Sequence, residues 1–216
     1  MNKKKISKIL NILIILLVVI GLVIMITGYE FMGKSKILTS TNISVLKYFT
    51  VESNIFACLT SIIYLLKKRK KNKYISILKL SSTTCLTITF LVTALYLAPF
   101  NNYPFIEFYK NSNLFFHLVV PILSIISYLF FDEVKVLKNK DIILCLIPYL
   151  LYSCFYTINV LTHMSNNKVL IEYDFYGFLK GGIKSIIIVI PIMFITTYLI
   201  TYFLNRLKDL FTSNNC

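Results

Sequence analysis

The chain has 216 residues, 57% of them hydrophobic and only 15% charged, where an ordinary soluble domain carries about 25% charged residues. That composition excludes a soluble globular domain and predicts a multi-pass protein of the cell membrane. The formal net charge of +14 does not point to nucleic acid, because Lys and Arg gather in short segments beside apolar blocks, where positive charge sets orientation and meets anionic lipids.

An apolar block of roughly 18 or more residues spans a hydrocarbon core about 30 Å thick, and six such blocks follow one another. The first, 9–27, stands behind Lys3, Lys4, Lys5 and Lys8. This is the charge order of a signal peptide, but the block is too long and no small-x-small cleavage site follows, so an uncleaved span is expected. The second, 46–66, runs straight into Lys67-Lys68-Arg69-Lys70-Lys71. The third, 78–98, stops before Pro99, and the fourth, 113–131, is closed by Asp132-Glu133. The fifth is 142–161 and the sixth 183–204. Sixteen of the 23 basic residues fall in 1–8, 67–79, 132–141 and 205–216, which places those segments, and both termini, on the cytoplasmic side. The fold expected is all-α, one domain over 1–216, a bundle of six transmembrane helices. Cys58, Cys85, Cys145, Cys154 and Cys216 form no C-x-x-C pair and read as small hydrophobic fillers. No metal or cofactor is implied. Trp is absent, so the 15 Tyr must supply the interfacial belt.

Polar residues recur within the spans at helical offsets. Thr50, Asn54, Ala57 and Ser61 share a face of the second span, and Thr89, Thr93 and Tyr96 a face of the third. His117, Pro121, Ser124 and Tyr128 align in the fourth, and Tyr149, Tyr152, Tyr156, Asn159 and His163 in the fifth. Such stripes avoid lipid and face one another. For a single hydroxyl, helix packing is the commoner role. An ionisable residue such as His117 instead marks a site by default. Thr50 and His117 each lie about four residues inside the outer boundary, and Thr93, Tyr96, Asn159 and His163 approach the same level from the other side. The loop from Glu172 to Gly177 is placed to cap them. A hydroxyl and an imidazole at one depth suit acyl transfer, in which the base frees the weak nucleophile. Glu52 falls about 200° around the helix from Thr50 and reads as interfacial, and Lys47 reads as reaching the headgroups.

The segment Tyr48-Phe49-Thr50-Val51-Glu52-Ser53-Asn54 resembles the Y-F-T-x-x-S-N signature of a bacterial family of six-span membrane proteins related to the androgen-induced membrane hydrolases of animals. His117-Leu118-Val119-Val120-Pro121 with Tyr128-Leu129-Phe130-Phe131-Asp132 is similar to that family's H-x-x-x-P…W-x-x-F-D segment, Tyr standing for Trp. Pro148-Tyr149-Leu150-Leu151-Tyr152 and Tyr173-Asp174-Phe175 resemble its P-x-x-Y and Y-P-F elements, the second without its proline. The resemblance covers residues 40–204. It implies an intramembrane hydrolase of lipid esters, such as fatty acid esters of hydroxy fatty acids, with Thr50 as nucleophile and His117 as base. Tyr48, Asn54, Thr93, Tyr96, Tyr156 and Asn159 are the candidates for holding the acyl-chain substrate, with Asn54, Tyr96 or Tyr156 for the oxyanion. The partners expected are membrane lipids. The alternative is a non-enzymatic small transporter or lipid-binding module. Transport would favour an internal repeat, and none is evident between the two halves.

Overall fold

A computed structural model of the chain describes residues 2–37, 41–67, 72–100, 102–164, 169–170, 172–179 and 183–213. Residues 68–71 of the basic run and Cys216 lie outside them. Among the described residues, six helices are long and apolar enough to cross a membrane. They are α1 (Lys3–Thr27), α2 (Phe49–Leu66), α3 (Lys73–Leu97), α4 (Ser112–Phe131), α5 (Asn139–Thr162) and α6 (Ile183–Ser213). The all-α bundle of six spans is thus the fold.

The helices overrun the apolar blocks wherever good helix formers and caps allow it. Asn2 caps α1 by accepting the Lys4 N–H, which pulls Lys3, Lys4, Lys5 and Lys8 into the helix. Asn72 does the same for α3, which begins at Lys73. Gly28, at φ 71°, ends α1 in the left-handed conformation that glycine adopts freely. The second span, by contrast, starts late. A 3-10 turn (Asn42–Lys47) and extended Tyr48 precede Phe49, so Thr50 sits in the first turn of α2.

Outward-facing side chains form an apolar belt that includes Leu16, Val23, Leu95, Leu151, Ile158 and Phe203, each more than half exposed. An apolar surface of this extent suits lipid rather than water. The interior is the reverse. α3 is buried almost throughout, with Ser81, Ser82, Thr83, Thr84 and Thr87 inside the bundle. Hydroxyls join helices there, as where Thr83 meets Ser124 at 3.0 Å and Ser53 meets Thr89 at 3.1 Å. α1 and α4 approach so closely at Gly21 that a Cβ would stand 2.5 Å from Phe116 Cε1.

Among the described residues three turns widen from α to π geometry, and two have a cause in the sequence. Pro121 has no N–H to offer the His117 carbonyl and its ring would crowd it. The helix accommodates this by the i→i+5 turn Phe115–Val119, closed by the Val120 N–H on the Phe115 carbonyl. Pro99 acts alike on Thr93–Leu97, closed by the Ala98 N–H on Thr93 O at 2.9 Å. The third, Ser127–Phe131, delivers Asp132 to the interior.

Asp132 organises a second polar centre at the opposite end of the bundle from Thr50. Its Oδ1 accepts hydrogen bonds from Ser7 (2.7 Å), Asn11 (2.9 Å) and Ser127 (3.0 Å). Its Oδ2 faces Lys79 Nζ at 2.9 Å, both side chains being essentially inaccessible. Lys79 also donates to Asn11 Oδ1, and Lys208 to the Asp132 carbonyl. Lys79 and Lys208, read from the sequence as part of the basic segments that flank the spans, are therefore interior residues. Burial alone would raise the Asp132 carboxyl, but Lys79 and the convergent donors bring it below its ordinary range.

Candidate functional site

The site lies where α2 begins, beside the π turns of α3 and α4. The π geometry sets which residues face it. In an i→i+5 turn the residue four positions on takes the place that the third holds in an α-helix. Thr93 and Leu97 consequently face inward, whereas Tyr96 is turned outward, 44% exposed and packed on Phe100 and Phe178. The Thr89, Thr93, Tyr96 stripe therefore breaks at its last member.

His117 is buried, and its Nδ1 hydrogen-bonds the Thr93 hydroxyl. The hydroxyl in contact with the imidazole is therefore that of Thr93, on α3, and not that of Thr50. Thr50 lies across a shared cleft. Two clefts meet here. One is mainly apolar, lined on α3 and α6 by Val92, Thr93, Val189 and Met193 among others. The other includes His117, Tyr48, Asn113 and Lys36. Thr50, Leu97 and Tyr176 are the residues common to both.

Tyr176 comes from the loop between α5 and α6. Its hydroxyl accepts the Phe49 N–H at 2.8 Å, beside Thr50 in the first turn of α2. It occupies the end of α2 whose backbone N–H groups have no partner within the helix. The hydroxyl end is enclosed while the ring is partly exposed, and burial pushes the phenol up to about 12. Asp174 anchors the loop: its Oδ1 accepts the Tyr156 hydroxyl and its Oδ2 the Leu179 N–H at 3.0 Å. Phe175 packs edge-on to Tyr48 at 5.1 Å. From the loop between Glu172 and Gly177, Phe175 and Tyr176 line the wider cleft, as does Tyr48.

The remaining candidates take other places. Asn54 is fully buried and acts as a strut, donating to Thr50 O (2.7 Å) and Phe116 O (3.2 Å), so it ties the first turn of α2 to the residue before His117. Tyr156 lines the apolar cleft with its proton committed to Asp174. Asn159 lines a separate hollow with Lys47, Tyr152 and Tyr173. His163 is exposed and stacks on Tyr173 at 3.7 Å. The level of six polar residues expected from depth therefore contracts to Thr50, Thr93 and His117. Glu52 is exposed, facing away from them. Among the described residues no three His, Cys, Asp or Glu side chains gather in one place.

The sequence reading missed Leu97, and it placed Tyr176 only within a capping loop. Pro99 was the available signal for Leu97, because a proline predicts a break in the helical register behind it. Comparison with family models, with curated proteins and with solved structures finds no match to this chain.

Proposed function

We propose that the protein is an ester hydrolase of the cell membrane acting on acyl lipids, with Thr50 as nucleophile and His117 as base, and with both termini cytoplasmic. The observation that carries this reading is the place of Thr50. It stands at the junction of an apolar cleft suited to a fatty chain and a cleft containing a buried imidazole. A substrate would lay its acyl chain along Val92, Val189 and Met193, with the alcohol part in the wider cleft. Thr50 attacks the ester carbonyl carbon while its proton passes to His117. Collapse of the tetrahedral intermediate expels the alcohol, which takes that proton back, and water then releases the acyl group from Thr50. The bond from Thr93 to Nδ1 leaves Nε2 as the nitrogen for this exchange. The resemblance of the Y-F-T-x-x-S-N and H-x-x-x-P segments to the six-span family supports the same two residues.

Treatment of the purified protein with a fluorophosphonate probe for serine and threonine hydrolases tests the reading. Labelling is expected in the wild type and lost in Thr50→Ala and in His117→Ala. Labelling that persists in both variants overturns the pair. A wild type that stays unlabelled yet retains lipid through purification assigns the clefts to lipid binding without catalysis.

A further inference from the structure

We infer that Tyr176 is a catalytic residue: the phenol that donates to the oxyanion formed when Thr50 attacks. The inference rests on the hydrolase reading above and supplies the group that reading lacks. A tetrahedral intermediate at Thr50 places a new negative charge within about 3 Å of the nucleophile, and a donor already fixed there is worth far more than one that must be recruited. The other polar candidates named from the sequence are committed elsewhere or turned away. Both amide protons of Asn54 are engaged by the Thr50 and Phe116 carbonyls. The Tyr156 proton is held by Asp174. Tyr96 is turned outward. Thr93 is bonded to the imidazole. Tyr176 is left, and it alone among these tyrosines lines both clefts beside Thr50.

Its environment suits a donor. The oxygen accepts the Phe49 N–H at 2.8 Å. A backbone donor on a phenol oxygen strengthens the bond its own proton makes. The neighbouring Tyr152 gives its own proton to Lys47 O at 2.8 Å. During attack the Thr50 Oγ–carbon bond forms, the carbonyl π pair moves to oxygen, and the Thr50 proton goes to His117. The Tyr176 proton turns to the new oxyanion without being transferred. When the carbonyl re-forms and the ester C–O bond breaks, that hydrogen bond is released. The loop thus both closes the site and equips it. Asp174, 3% exposed, holds the phenol in register through Leu179 and Tyr156.

Hydrolysis of p-nitrophenyl decanoate in detergent micelles by the full chain provides the test, with wild type, Thr50→Ala and Tyr176→Phe compared and thermal unfolding followed for each. Phe keeps the ring and its packing on Tyr48, Tyr156 and Phe178. Tyr176→Phe is expected to lower kcat by about 100-fold, the usual effect of removing one oxyanion donor, with KM changed less than about twofold, since a donor used only in the transition state leaves KM alone. Substitution of all tyrosines by the more acidic 3-fluorotyrosine should alter kcat in the wild type and leave Tyr176→Phe unaffected, which separates chemistry from helix capping even where Tyr176→Phe unfolds early. Wild-type kcat in Tyr176→Phe, or a loss confined to KM, overturns the role of Tyr176 while leaving Thr50 standing. Equal turnover by wild type and Thr50→Ala overturns the hydrolase reading and this inference with it.

Discussion

Thr93 and His117 show how a single contact redirects a reading at the scale of the residue. Both sit in π turns, and the two turns bring Thr93 Oγ1 onto His117 Nδ1. An imidazole serves as base through one nitrogen only when the other is held in the matching tautomer. Thr93 therefore acts as a positioning residue if it accepts the Nδ1 proton. Thr93→Val removes the acceptor at nearly constant volume and should slow fluorophosphonate labelling by about 10- to 100-fold, within what general-base catalysis contributes. Thr93→Ser should label near the wild-type rate. A structural role would show instead as equal rates with a lowered unfolding temperature. Nitrogen-15 spectra of the imidazole, taken in a His163→Gln background, report the tautomer directly and should show the Nδ1–H form in the wild type.

Among the elements, α3 and α4 carry the most information because each serves two polar centres. The π turns at Thr93–Leu97 and Phe115–Val119 serve the site, and the one at Ser127–Phe131 serves Asp132. The Asp132 centre joins α1, α3, α4 and α6 through buried polar atoms, so its loss should loosen that whole half of the bundle. Asp132→Ala or Lys79→Ala strands a charge in a dry interior and should cost about 3–5 kcal/mol. The double variant Lys79→Met, Asp132→Leu should be less destabilised than either single change, because apolar packing replaces a pair whose desolvation is costly. Thermal unfolding in detergent measures both. Equal stability of wild type and Asp132→Ala would show that the centre contributes nothing to folding.

Across the whole molecule, the end that holds the site is closed by loops tied to one another through charged groups. Glu107, buried between α3 and α4, accepts the Lys110 ammonium at 2.5 Å and the Lys36 N–H at 3.2 Å. These bonds, the Lys110 bond foremost, hold its carboxyl below its ordinary 4.5. A lowered carboxyl stabilises the fold above its unfolded value, and that contribution disappears as pH falls through the folded value. Stability should therefore be insensitive to this group from pH 7 to 5 and decline below about 4.5, with a smaller decline in Glu107→Gln, as read by unfolding temperature against pH. Topology is a second property of the whole. The orientation proposed above, with both termini cytoplasmic, predicts that a protease added outside intact cells spares tags at either end and reaches a tag inserted after residue 172. Cleavage of both terminal tags would invert the orientation.

Six spans, their order and the all-α class were legible in the chain itself, because hydrocarbon demands long apolar helices with every backbone group paired internally. Thr50 and His117 were legible as candidates too, since polar groups within spans are rare and costly. Their neighbours were not. Helical periodicity assumes one unbroken register, and Pro99 and Pro121 break it, so Leu97 replaced Tyr96 and Thr93 met His117. Lys79 and Asp132 looked like flanking charges, because charge pairing between helices depends on which helices are adjacent, and linear order does not say that. Tyr176 belonged to a loop, whose path is set by what it packs against. Only the assembled bundle brings its hydroxyl to the first turn of α2, since the partners that hold it there, Asp174 apart, are supplied by α2 and α5.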